Sequence, residues 1–400
     1  MFLSRFGVKN YKCLGEIDIP LTPIHVLIGQ NDAGKTSLLE AMAAFYESSQ
    51  KQLPQLFPEP WTGRELVFHG SQRGTVEFSG EWSPIQSEVL PANTRPRLCY
   101  GFSCRFHREG KGCMVAKEWI EQAGARRDLP PVRHGASTAA CSWNRGAPQI
   151  TGLDLDPALA SLRVDRYSLD AKTMRAPAVI TACPKFRLGP DGFGLPTLLD
   201  DILGNDPERF LALRADFCRH FPQFRGIQLR SVDALDRSFH PKKGIYTSTT
   251  RVGKGIVLEM QSGHTIHAQQ ASDGAILFLG FLALSYLPEP PTLLLIEEPE
   301  NGIYPKRLAE VIQLLKQLVY RSEGPAFPQI ILSTHSPYVL SFFEPDEVTF
   351  LSRPADNPEG AVRARPLRDA PNIREKLARD ELYLGELWYN FSEEEIFDNA

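Results

Sequence analysis

Apolar and polar residues alternate at the start of the chain, and the spacing predicts two short strands over 2–8 and 16–19. The unbroken apolar run 24–28 predicts a strand buried on both faces. A glycine turn over 29–34 then opens a helix over 35–46, where Leu38, Leu39, Met42 and Phe45 recur at helical spacing. Alternation returns at 75–82, and 99–107 with 113–119 reads as a hairpin. The stretch after it, with Arg126, Arg127 and Pro130-Pro131, reads as a loop. Helices are expected over 195–221, and a strand pair over 255–260 and 264–269. An apolar helix 274–286, an apolar strand 293–296, a helix 306–320 and a strand 329–333 follow. The tail 372–400 reads as a charged amphipathic helix. Neither heptads nor 20-to-50-residue repeats are found, which excludes a long coiled coil.

Composition narrows the class. With 42% hydrophobic and 23% charged residues, the chain can bury a sizeable core. Forty-four Lys and Arg against 48 Asp and Glu leave a net charge of −4, so any nucleic-acid contact must be a local patch. Seven scattered cysteines and a charged start without a secretory pattern point to a reduced, cytoplasmic protein. The longest apolar stretch, 275–287, falls short of the roughly 18 residues a membrane span requires, so no membrane partner is expected.

The strongest chemical signal is Gly29-Gln30-Asn31-Asp32-Ala33-Gly34-Lys35-Thr36-Ser37, which fits GxxxxGK[ST] between a strand and a helix. Its glycines let backbone N–H groups converge on phosphate, and the helix N-terminus adds favourable charge. Lys35 would neutralise the β- and γ-phosphates, and the Thr36 hydroxyl would ligate Mg²⁺. A second signal is Glu297-Glu298-Pro299-Glu300-Asn301, at the end of an apolar strand. There Glu297 would hold Mg²⁺ and Glu298 would polarise the attacking water as general base. Ser333-Thr334-His335-Ser336-Pro337 ends another apolar strand, and Ser272-Asp273-Gly274 stands directly before an apolar helix.

Taken in order, these strings resemble the ATPase heads of the ABC superfamily, in the RecF/SMC-like and OLD-like branch of AAA-family ATP-binding proteins. Val8-Lys-Asn-Tyr-Lys-Cys-Leu14 near the start resembles the same branch. The resemblance implies an α/β P-loop NTPase of ABC/SMC-head type, a mixed sheet with an antiparallel N-terminal lobe and a helical signature lobe. It implies an ATPase with ATP and Mg²⁺ as cofactors and a homodimer that closes on ATP. Lys35 and Thr36 of one head would face Ser272, Asp273 and Gly274 of the other. His335 would be the switch histidine at the γ-phosphate, and Asn301 with Gly302 would lie in the loop crossing the interface. Lys12 matches a basic position near the nucleotide, and Gln72 is the candidate glutamine for the metal side of the site. Glu297 replaces the usual aspartate.

The expected organisation is an N-terminal ATPase lobe over 1–95, an insertion over 96–230, a C-terminal ATPase lobe over 231–365 and a helical tail over 366–400. The stretch after His335 is too short for a Toprim nuclease, so a nuclease or other effector would be a separate chain. On this reading hydrolysis is coupled to DNA transactions or to control of that effector, as in DNA repair or anti-phage defence. The alternatives are a slow ATP-binding switch that holds a partner enzyme, and the nucleotide-binding subunit of a transporter. Over 95–145, Arg95, Arg97, Arg105, Arg108, Lys111, Lys117, Arg126, Arg127, Arg133 and Arg145 outnumber the acids and form a candidate DNA contact. The set Cys99, Cys104, His107 and Cys113 is too loosely spaced for zinc, and strand alternation parts Cys99 from Cys104.

Overall fold

The computed structural model describes residues 2–48, 51, 53–57, 63–69, 71, 74–83, 98–106, 113–122, 124–129, 162–180, 186–240, 245–320, 329–354, 360–371, 373–374, 377, 383–390 and 393–397. They form two compact units. One comprises Met1–Asp165, Pro291–Ile296 and Pro328–Ala400, the other Arg166–Pro290 and Glu297–Phe327.

In the first unit, β1 (Phe2–Tyr11) and β2 (Leu14–Pro20) pair antiparallel, and β3 (Ile24–Ile28) is fully buried. Helix α1 (Lys35–Glu47) follows. Strands β4 (Thr75–Ser83), β5 (Leu98–Phe106), β6 (Cys113–Gln122) and β7 (Ala125–Asp128) extend an antiparallel sheet in the order β2-β1-β4-β5-β6-β7. The apolar face of α1 lies on this sheet because Phe45 stacks on Trp82 and Phe102, with ring centroids 5.5 and 6.1 Å apart. Gly80 makes the approach possible, since a Cβ there would stand 2.6 Å from the Phe45 ring. The loop expected at Arg126 and Arg127 is instead β7. All four of its residues are exposed, so it carries no apolar alternation to read.

A second sheet runs β16-β15-β3-β14-β13-β8, from β8 (Val164–Tyr167), β13 (Leu293–Glu297), β14 (Gln329–Thr334), β15 (Val348–Ser352) and β16 (Arg363–Pro366). Strands β14 and β15 both pair parallel with β3, and Thr334 stands level with Ile28. The N–H of Gln329 donates to the Thr292 carbonyl at 3.0 Å, so β13 and β14 start side by side and run the same way. Buried His25 is held in β3 between the hydroxyls of Thr22 and Thr349, at 3.1 and 2.9 Å.

In the second unit, α2 (Ala171–Met174), β9 (Ala178–Val179), α3 (Leu195–Asn205) and α4 (Pro207–His220) precede a long ribbon. That ribbon is β10 (Phe224–His240) paired with β11 (Ile245–Met260) from end to end. The expected pair 255–260 and 264–269 is the short contact of β11 with β12 (Thr265–His267). The main partner of β11 is β10, whose interspersed charges hide its strand pattern. Helix α5 (Asp273–Ser285) is buried along nearly its whole length from Ala275, and α6 (Pro305–Tyr320) follows β13. In the tail, two short helices are described, Leu384–Asn390 and Glu393–Phe397, where one long helix was expected.

Candidate functional site

The phosphate loop is set by β3 and α1. Asp32 takes a left-handed φ of 62° and Gly34 one of 86°, which turns the chain from strand into helix. Gly34 is also pressed by its neighbours, since a Cβ there would meet Val362 at 2.9 Å and the Cys13 sulfur at 3.1 Å. The Gly29 site is closed by the Leu351 carbonyl, 2.3 Å from where a Cβ would stand. The largely buried Lys35 amine donates to the carbonyls of Gly29 and Gln30 at 2.7 and 2.9 Å, so the lysine spans its own loop. Ala33 N–H donates to the Gln30 carbonyl at 3.2 Å. Asn31 and Thr36 are exposed, Ser37 is half-buried, and Thr36 lies in the first turn of α1.

Lys12 lies in the β1–β2 turn at φ 50°, and its amine is ion-paired with Glu40 of α1. Thr334 is fully buried, and its hydroxyl accepts the Ser336 N–H at 2.9 Å, which shapes the turn carrying exposed His335. Gln72 lies outside the described residues, as do Arg95, Arg97, His107, Arg108, Lys111, Arg133 and Arg145.

The second unit gathers the acidic strand end and the Ser272–Gly274 segment. Glu297 Oε1 lies 3.2 Å from Arg166 Nε, and the side chain is only 14% exposed. Glu298 sits at φ 46°, and its Oε2 accepts a 2.7 Å hydrogen bond from Asn301 Nδ2. Ser272 caps α5, its hydroxyl accepting from Ala275 N–H at 3.4 Å. Gly302 at φ 75° lies against the same helix end. A Cβ on it would meet Leu277 at 2.8 Å, and the Gly302 carbonyl is 3.8 Å from the Cβ position of Gly274. Within this unit, Glu298, Asn301, Gly302 and Ser272–Gly274 therefore form one contiguous group.

Three arginines at these motifs carry no signal in the sequence. Arg353 donates from Nε to the Asp32 carbonyl at 2.8 Å, Arg166 pairs with Glu297, and Arg175 pairs with Asp273. None has a local signature, because each partner is distant in sequence. Arg126 stacks over the Trp119 ring at 4.1 Å on the outer sheet face, with exposed Arg127 beside it. Cys99 and Cys104 fall on opposite faces of β5, and burial pushes the Cys113 thiol up to about 11, far from a thiolate ligand. Among the described residues no three His, Cys, Asp or Glu side chains gather as metal ligands, and no helix is long and apolar enough to cross a membrane.

The fold is that of SMC heads, with a complete GxxxxGK[ST] string between β3 and α1. Two family profiles match the chain: "AAA ATPase domain" over residues 1–89, and "AAA domain, putative AbiEii toxin, Type IV TA system" over residues 199–341. Its architecture is similar to an SMC head bound to the C-winged helix domain of ScpA. That match has a TM-score of 0.52 and 14% identity, over 92% of this chain and 98% of that one. It is also similar to an SMC head with an extended coiled coil bound to the C-terminal domain of ScpA derived from Pyrococcus furiosus. There the TM-score is 0.51 and the identity 11%, over 94% and 99% of the two chains. In sequence, 40 residues are 50% identical to an OLD nuclease of Thermus scotoductus, a stretch spanning 10% of this chain and 8% of that protein.

Proposed function

We propose that this chain is a Mg²⁺-dependent ATP hydrolase whose heads dimerise across ATP and pass the resulting change to DNA or to a partner effector. The observation that carries the reading is the phosphate loop, a complete GxxxxGK[ST] turn between β3 and α1 with Lys35 spanning its carbonyls. Bound Mg²⁺ would supply charge neutralisation at the phosphates, with Thr36 and Glu297 as its protein ligands. Glu298, held by Asn301, would take the proton of the attacking water. In the partner copy, Ser272, Asp273 and Gly274 would present a helix N-terminus to the γ-phosphate. His335, which follows β14 beside β3, would act as the switch residue. DNA contact through Arg126 and Arg127, a role in repair or anti-phage defence, and a cytoplasmic setting belong to the same proposal. The SMC heads of similar fold are bound to domains of ScpA, and by analogy a protein effector is proposed for this chain.

The test is ATP turnover by the purified chain with and without double-stranded DNA, with Glu298→Gln as the blank. Turnover that rises with DNA and vanishes in the variant supports a DNA-responsive ATPase. Turnover indifferent to DNA moves the output to a protein partner. Turnover equal in chain and variant overturns the assignment of Glu298.

A further inference from the structure

We infer that Arg175 is the positioning residue of the signature segment, holding the nucleotide-facing end of α5 ready for ATP on the partner head. The inference rests on the ATP-sandwich reading above and adds a residue that no motif marks.

Three ties converge on the segment from both sides of Ser272. Arg175 Nη2 donates to the Ala271 carbonyl at 2.8 Å, and the same nitrogen is ion-paired with Oδ1 of Asp273. In return the Arg175 carbonyl accepts from Gln269 Nε2 at 3.1 Å. The arginine side chain is only 17% exposed, whereas Asp273 is 61% exposed, so the fixed partner is the arginine.

The stem of Arg175 is itself seated. Asp170 caps α2 by accepting from the Thr173 N–H and hydroxyl at 2.8 and 2.7 Å. Met174 then fills a notch at Gly280, where a Cβ would stand 2.1 Å from its terminal carbon. That contact gives the glycine within apolar α5 a physical reason, since glycine in a helix interior is otherwise destabilising against alanine.

Helix stability alone does not account for the placement. A helix N-terminus carries about half a positive charge, so a cation beside it is unfavourable. Asp273 offsets Arg175, and the N-terminus keeps its own positive character next to Ser272. That arrangement suits an arriving phosphate. Gly302 presses on the same helix end, so the hold on Asp273 also fixes the signature against the Asn301–Glu298 loop of its own unit.

The experiment compares Arg175→Ala and Arg175→Lys in the Glu298→Gln background. Binding of a fluorescent ATP analogue is measured at protein concentrations too low for dimers, and ATP-driven dimerisation by sedimentation. For Arg175→Ala the expected result is monomer affinity unchanged within about twofold, with the protein concentration for half-dimerisation raised about tenfold or more. Arg175→Lys keeps the charge and rescues part of the loss. A brace that served only folding would lower Tm and weaken both readouts together, which overturns the proposal. Dimerisation unchanged in Arg175→Ala also overturns it, provided the Glu298→Gln parent dimerises. A parent that stays monomeric with ATP sinks the sandwich reading, and the role of Arg175 falls with it. If the alanine variant does not fold, Arg175→Gln removes the charge that pairs with Asp273 while keeping an amide donor for the Ala271 carbonyl, and must produce the same split.

Discussion

Asn301 Nδ2 donates a 2.7 Å hydrogen bond to Glu298 Oε2, and the Asn301 N–H donates to the Glu298 carbonyl at 3.0 Å. The left-handed turn at Glu298 thus ends in an amide that fixes the rotamer of the acid. Glu298→Gln is expected to slow hydrolysis by roughly 10²- to 10⁴-fold, the usual scale for a general base. Asn301→Ala keeps the acid but removes this hydrogen bond, so kcat should fall about tenfold with KM nearly unchanged. Steady-state kinetics on both variants check this, and a rise in KM alone would assign Asn301 to binding instead.

Lys35 spans the loop carbonyls of Gly29 and Gln30, and on the proposed function its charge would meet the phosphates. Lys35→Ala is expected to abolish nucleotide binding or turnover. Normal turnover in that variant would remove the phosphate loop from the mechanism.

The guanidinium of Arg166 lies against Glu297, so it competes with any cation for that carboxylate. Arg166→Gln is expected to lower the Mg²⁺ concentration for half-maximal turnover by a few-fold, roughly 1 kcal/mol of relieved competition. A Mg²⁺ titration of ATPase rate reads the effect. An unchanged midpoint would separate Glu297 from the metal.

Burial pushes the His25 imidazole down to about 3 from its ordinary 6.5, with Arg368 adding to the shift. The unfolded chain therefore takes up the proton first. Stability from this site is full above pH 6.5 and falls as pH drops, by about 1.4 kcal/mol per unit. Urea midpoints are expected to fall between pH 7 and 5, equivalent to roughly 2 kcal/mol at pH 5. His25→Gln should flatten that slope, and an identical slope in the variant would place the acid sensitivity elsewhere.

Arg126 and Arg127 stand on an exposed edge strand, with Arg126 stacked on Trp119. Replacing both with glutamate is expected to weaken DNA binding uniformly across sequences. The salt slope should drop by about one for each arginine–phosphate pair that the substitution removes. An unchanged slope in a titration of binding against salt would move the DNA-binding surface elsewhere.

Much of the architecture is legible where apolar periodicity is local. The run Ile24–Ile28, the helix with Leu38, Leu39, Met42 and Phe45, and the strands ahead of Glu297 and His335 all declare themselves within a few residues. The ribbon of β10 and β11 does not. Its long pairing joins two segments interspersed with charges, such as Asp236 opposite Thr249 and Arg230 opposite Gly255. Strand β7 stays hidden because none of its residues is buried, and apolar patterning reports burial.

Sequence alone determined the phosphate loop, the paired glutamates and the order of the motifs, because each is a short string whose chemistry depends on neighbouring residues. Only the tertiary structure decided what holds those strings in place. Arg353 on the Asp32 carbonyl, Arg166 on Glu297 and Arg175 on Asp273 each join positions far apart in the chain. An arginine looks the same in sequence whether it is solvated or clamped, since the partner that distinguishes the two arrives only when the chain folds.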